Sequence, residues 1–197
     1  MNDLLVIRTG TANVASVLAA LRRAGASPET THDPERVLKA DRVVLPGVGA
    51  FGAALEVLRA HHLDEAIAAR VRAGLPTLGI CLGLQMLAER SEETPGVAGL
   101  GVVPTDVVRF PRDVRVPQLG WNEVVPSEGA RLLRRGHAYF ANTYHLASRP
   151  PGWEGATAVH GAPFVAAIER GPVLACQFHP ELSGAWGHAL LTSWLEA

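Results

Sequence analysis

Three short apolar runs, Leu4-Leu5-Val6-Ile7, Arg42 to Leu45 and Leu75 to Ile80, each lead into a stretch of helical periodicity. After the first, Asn13 to Ala24 sets Val14, Val17, Leu18 and Leu21 on one helical face. After the second, which Pro46-Gly47 closes, helical patterns run through Ala53–Arg59 and Leu63–Ala73; after the third, one runs from Leu82 to Arg90. Short buried strands alternating with amphipathic helices predict a parallel sheet covered on both faces.

From Glu92 the texture changes. Gly, Pro and β-branched residues punctuate shorter runs at Asp106–Phe110, Asn122–Val125, His137–Ala141, Ala156–His160, Phe164–Arg170 and Val173–Gln177. These predict strands and hairpins, some antiparallel. Gly184 to Glu196 returns to a helix carrying Trp186, Leu190, Leu191, Trp194 and Leu195. The chain has no internal repeat, low-complexity tract or evident linker. The expected fold is therefore α/β: a single domain over residues 1–197, with a central mixed, mostly parallel sheet, helices on both faces and antiparallel strands in the second half.

The 197 residues suffice for one domain with a full core. A net charge of −1 points to no nucleic-acid or membrane partner, and no apolar run approaches the roughly 20 residues of a membrane span. The start, Met1-Asn2-Asp3, lacks the basic flank and long apolar core of a signal peptide, so a cytoplasmic location is expected. Cys81 and Cys176 are too few for a disulfide framework and lack metal-site spacing.

Cys81 lies in Leu78-Gly79-Ile80-Cys81-Leu82-Gly83, between a predicted strand and a predicted helix. Nucleophiles of α/β enzymes sit on such a strand-to-helix turn, with small residues two before and two after. A following helix N-terminus favours a thiolate, and the Leu82 N–H would face an oxyanion formed on attack. On this string alone, a packed thiol with glycines for close approach fits as well.

A thiol nucleophile needs a base, and the base an orienting group. Of the eight histidines, His179 follows the apolar run Val173 to Phe178 and has Glu181 two residues on. Extended backbone would set both on one side, with Glu181 fixing the imidazole tautomer. The glycine-rich stretch Pro46-Gly47-Val48-Gly49-Ala50-Phe51-Gly52 lacks the endings of a nucleotide loop. At the carboxyl end of a parallel strand it would instead lend backbone N–H groups to an oxyanion.

These three segments, in order and separation, resemble the triad (class I) glutamine amidotransferases over nearly the whole chain. Within that family the chain is most similar to the glutaminase subunits of imidazole glycerol phosphate synthases, which serve histidine biosynthesis. The stretches that carry this are Pro46–Gly52, Gly79–Leu87, Val116–Val124, Tyr139–His145 and Gln177–Ser183, with Gly10–Val17 as an early motif. The chain departs from the usual pattern at Gln118 and Asn142, where the family has His, at Leu182, where it has Lys, and at Ala12, where it has Gly.

The resemblance implies a cysteine-nucleophile amide hydrolysis with Cys81, His179 and Glu181 as the catalytic triad. It further implies Val48 and Leu82 as the oxyanion donors, and Gly49, Gln85, Thr143 and Tyr144 as the glutamine-binding residues. No cofactor and no metal are implied. The implied partner is a (β/α)8-barrel cyclase/synthase subunit that takes up the ammonia in a heterodimer, with Trp121, Asn122 and Tyr139 as interface candidates. For Trp121 ordinary core packing fits equally well. A redox-sensing α/β protein would carry the elbow cysteine but would not need the His-Pro-Glu.

Overall fold

The computed structural model describes residues 3–9 and 14–197. β1 (Leu4–Ile7) leads through α1 (Val14–Arg23) to β2 (Glu29–Thr31), and α2 (Pro34–Lys39) returns the chain to β3 (Arg42–Gly47). Two helices, α3 (Phe51–Ala60) and α4 (Leu63–Arg72), precede β4 (Thr77–Cys81), which α5 (Leu82–Met86) follows without a break. The strands of the second half are β5 (Val107–Arg109), β6 (Gln118–Pro126), β7 (Gly136–Asn142), β8 (Tyr144–Leu146), β9 (Glu154–His160), β10 (Ala162–Arg170) and β11 (Val173–Cys176). A 3-10 turn at Pro180–Leu182 and α6 (Gly184–Glu196) complete the chain.

The strands form one mixed sheet in the order β2-β1-β3-β4-β11-β10-β9-β6-β7, with β8 beside β10 and β5 beside β8. β1 is parallel to β2 and β3, and β4 is parallel to β3 and β11. Every other named pairing is antiparallel, so the antiparallel extension takes a larger share of the sheet than the sequence suggested. Helices cover both faces as expected. Along β1, Leu5 and Ile7 join one core with Val37, Phe51, Leu55, Leu58, Leu63 and Ile67 of α2 to α4. Leu4 and Val6 face the other way, onto Val17 and Leu21 of α1 and Leu190, Leu191 and Trp194 of α6. That alternation is why the interior runs are apolar at every position.

Two elements differ from the sequence reading. The helix expected over Leu82–Arg90 stops at Met86. Its continuation is blocked because the carbonyls of Met86, Leu87 and Ala88 accept from the N–H groups of Leu100, Val102, Val103 and Gly101 in a returning loop. β2 and α2 lacked an apolar signal. α2 is set instead by local capping: Asp33 Oδ1 accepts from Glu35 N–H at 2.9 Å and Arg36 N–H at 3.3 Å, with Pro34 opening the helix. The part of the early motif at Gly10–Asn13, with the Ala12 departure, lies outside the described residues.

A fully buried guanidinium locks the end of the sheet away from Cys81. Arg70 of α4 donates to the carbonyls of Val37 (2.9 Å), Ala40 (2.7 Å), Asp41 (3.4 Å) and Pro76 (2.9 Å). Two of these acceptors lie at the C-terminal end of α2, whose last carbonyls have no intrahelical partner. Burial pulls the Arg70 pKa below its ordinary value, against the opposing charge of Asp41. Replacing Arg70 by Met strands those carbonyls in the interior. The expected result in urea denaturation is a loss of about 3 kcal/mol of stability, since removing one partner from a buried polar cluster is costly.

Candidate active site

Cys81 ends β4 with φ 53° and ψ −108° and is one of two non-glycine residues with positive φ among the described residues. Holding an L-residue there costs of order 1–3 kcal/mol, so the surroundings must enforce it. Three glycines do so. A Cβ at Gly79 would lie 3.1 Å from Gly83 C and Leu84 N, one at Gly83 would strike the Leu45 carbonyl oxygen, and one at Gly47 would lie 2.8 Å from Leu82 Cβ. The expected strand-to-helix turn is thus present, and close backbone packing on both sides requires the small residues. Leu82 opens α5 directly after the thiol, so its N–H belongs to the first turn, where no intrahelical acceptor exists.

His179 reaches the same point from β11, parallel to β4 with Cys176 opposite Ile80. The backbone of His179 is clamped to β7: its N–H donates to Tyr139 O at 2.9 Å, and its carbonyl accepts from Ser183 Oγ at 2.6 Å. Ser183 Oγ in turn accepts from Tyr139 N–H at 3.0 Å. Nδ1 of the imidazole meets Glu181 Oε1 at 2.9 Å, with both side chains under 10% exposed. The pair forms differently from the expected extended geometry. Only His179 is extended; the 3-10 turn over Pro180–Leu182 bends Glu181 back beneath the ring.

The electrostatics follow from this packing. Burial opposes a charge on His179, but hydrogen bonds to Cys81 and Glu181, and their negative charges, overcome it and raise the imidazole pKa to about 10. Cys176 is the opposite case. It is fully buried, its thiol donates weakly to Gly79 O at 3.5 Å, and burial raises its pKa far above an ordinary thiol, with Glu181 and Cys81 adding to the effect. Cys176 is therefore a packed residue of β11.

Cys81 and His179 open into a cavity of about 290 Å³ that is also lined by Val48, Gly49, Leu82, Gln85, Glu93, Asn142, Thr143 and Tyr144. All the residues singled out in sequence for oxyanion and glutamine contacts are thus on one wall or another of it. Gln85 is buried and its amide N donates to Tyr144 O at 2.9 Å and to Gln177 Oε1 at 3.0 Å. Asn142 Nδ2 also donates to Tyr144 O, at 3.0 Å, while Asn142 Oδ1 and Gln118 Oε1 are buried without a hydrogen-bond partner among the described residues.

Sequence reasoning missed Glu93, Ser183 and the part played by Gln177. Glu93 Oε2 accepts from the N–H of Phe51 at 2.7 Å, and Thr94 Oγ1 from Gly52 N–H at 3.2 Å. α3 has no side-chain cap of its own at Ala50, so the distant Glu93 carboxylate and Thr94 hydroxyl cap it and fix the end of the Val48–Gly49 loop. No local pattern in the sequence could have joined residues so far apart.

The interface candidates lie on the β6–β7 hairpin beside the site. Trp121 is 58% exposed and Leu119, on the same side of β6, is 69% exposed, which removes the core-packing reading of Trp121. Trp121 and Tyr139 meet edge to face at 6.3 Å, and Asn122 Nδ2 donates to Val159 O at 2.7 Å.

The raised pKa of His179 has a definite consequence for pH. A folded-state value of about 10 against 6.5 means that the pairing contributes stability fully below pH 6.5 and loses it as pH rises through about 10. Imidazole nitrogen NMR should therefore find His179 protonated at pH 8 in the wild type. In Cys81→Ala its titration should move to lower pH, because one of the two partners that hold the proton is gone.

A model of the glutamine amidotransferase class-I family matches residues 5–196. The chain is 40% identical to the imidazole glycerol phosphate synthase subunit HisH of Escherichia coli K12, over 98% of this chain and 99% of that one. It is equally similar to the subunit of that name from Salmonella typhimurium LT2, with the same coverage. Among solved structures, a crystal structure of a glutamine amidotransferase superposes with a TM-score of 0.77 at 25% identity, covering 98% of this chain and 97% of that one. The PurLQS structure from Thermotoga maritima shares the fold, with a TM-score of 0.77 at 16% identity, over 100% of this chain and 99% of that chain. With a thiol on a strained elbow, a carboxylate-held imidazole and a glycine-rich loop around one cavity, this chain belongs to the class-I glutamine amidotransferase family.

Proposed function

We propose that the chain is the glutaminase subunit of an imidazole glycerol phosphate synthase, acting as one domain over residues 1–197 in the cytoplasm. The observation that carries this reading is the convergence of Cys81, His179 with Glu181, and Gln85 on one cavity. With the proton of the pair already on His179, Cys81 Sγ attacks the side-chain carbonyl carbon of glutamine. The tetrahedral oxyanion is held by the N–H of Leu82 and, from the glycine-rich loop, that of Val48; one such donor is worth about 10²–10³ in rate. His179 then delivers the proton to the amide nitrogen, the C–N bond breaks and ammonia leaves. Water, with its proton taken by His179, adds to the glutamyl thioester; the C–S bond breaks, glutamate leaves, and the Cys81 sulfur is again paired with a protonated His179. Glu181 keeps the ring oriented throughout and stabilises the imidazolium.

The cavity walls suit the amino-acid end of the substrate. Glu93 is the carboxylate for its α-ammonium, and Gly49, Gln85, Thr143 and Tyr144 complete the enclosure. Ammonia released here is lost to water unless a partner takes it directly. The exposed Leu119 and Trp121, with the half-buried Tyr139 and Asn122 beside them, form the face on which a (β/α)8-barrel synthase subunit docks to form a heterodimer, since aromatic anchors favour interfaces. That subunit uses the ammonia to make imidazole glycerol phosphate and the aminoimidazole carboxamide ribotide of histidine biosynthesis.

The reading is tested by mixing the protein with the barrel subunit, glutamine and the barrel's ligand, and measuring glutamate. Wild type should turn over, and Cys81→Ala should fall by about 10⁴-fold or more. Glutamate release by Cys81→Ala at the wild-type rate would overturn the nucleophile assignment.

A further inference from the structure

Gln177 is fully buried and lies between the nucleophile and the substrate wall. Its Nε2 is 3.7 Å from Cys81 Sγ, within range for a hydrogen bond to sulfur, and its Oε1 accepts from Gln85 Nε2 at 3.0 Å. The direction of this chain of bonds is fixed by chemistry. Tyr144 O is an acceptor only, so the atom of Gln85 that meets it at 2.9 Å must be the amide nitrogen. That same nitrogen faces Gln177, which must therefore present its oxygen there and its N–H₂ to the sulfur.

The backbone holds Gln177 in place independently of its side chain. Its N–H donates at 2.8 Å to the carbonyl of Ala166, the residue left out of register where β10 bulges against β9 between Val165 and Ala167. This bond continues the antiparallel β10–β11 ladder one pair beyond Ala167 and Cys176, so the sheet itself seats the residue that reaches the thiol. We propose that Gln177 is a positioning residue: it donates to Cys81 Sγ, holding the strained side chain on the cavity and favouring negative charge on sulfur, and it couples that sulfur to the substrate wall through Gln85.

The coupling to substrate rests on the glutaminase reading above; the bond to sulfur does not, so two measurements separate them. The first is alkylation of Cys81 by iodoacetamide at pH 7 in the full chain, resolved from Cys176 by peptide mass spectrometry. Gln177→Leu should slow it about tenfold, the scale of one hydrogen bond to a charged group. Gln177→Glu, equal in size, should also slow it, because a carboxylate replaces the donor facing sulfur. The second is steady-state kinetics of the complex with the barrel subunit. Gln177→Glu keeps the acceptor for Gln85, so KM should stay within about twofold while kcat falls about tenfold; Gln177→Leu should raise KM as well.

Wild-type alkylation rates in Gln177→Leu at an unchanged melting temperature would overturn the proposal. If that variant does not fold, wild-type rates in Gln177→Glu would do so. Slow alkylation in both variants, with no glutamine hydrolysis by the wild-type complex, would uphold the positioning of sulfur and sink the glutaminase reading.

Discussion

Everything at the active site depends on three parallel strands ending at one level. β3, β4 and β11 lie side by side, with Gly47 opposite Cys81 and Cys176 opposite Ile80. Because the strands are parallel, their carboxyl ends emerge on the same edge, where the glycine-rich loop, the elbow thiol and the histidine are delivered together. A slip of one residue would turn Cys81 into the opposite core layer, since successive side chains point to opposite faces. The continuous apolar faces of these strands, packed by helices on both sides, hold that register.

The strain at Cys81 is tolerable only because of this frame. Its φ of 53° exposes the thiol at the cavity, and the close passage of Gly79, Gly83 and Gly47 leaves no room for the turn to relax. The antiparallel half of the sheet serves the same end from the other side. β7 grips the His179 backbone through Tyr139 and Ser183, and β10 seats Gln177 behind the sulfur through the Ala166 carbonyl. The cavity is a seam between a parallel half that presents the Cys81 thiol and an antiparallel half that holds its partners.

The electrostatic arrangement concentrates charge where water is excluded. His179, Glu181 and Cys81 are each nearly buried, so each charge finds its partner inside the cluster rather than in solvent. Glu93 works at longer range by capping α3, so the acidic residue that faces the cavity also fixes the glycine-rich loop that lines it. A single carboxylate thereby ties one wall of the cavity to the start of α3.

The sequence by itself determined the elements that depend on local pattern. Apolar runs marked the buried strands, Gly-x-Cys-x-Gly marked the elbow, and His-Pro-Glu marked the charged pair, because backbone sterics and burial leave direct traces in residue choice. It also carried the family resemblance, which placed Val48, Gly49, Gln85, Thr143 and Tyr144 near the chemistry. Other features were decided only by tertiary structure. Leu82 to Arg90 has helical periodicity, yet a returning loop takes its carbonyls and ends the helix at Met86. Trp121 is as apolar as any core residue, but the twist and pairing of the β6–β7 hairpin leave it exposed. Glu93 on Phe51 and Gln177 on Cys81 are contacts between residues distant in the chain, and hydrogen bonding across such distances leaves no periodic signal in the sequence.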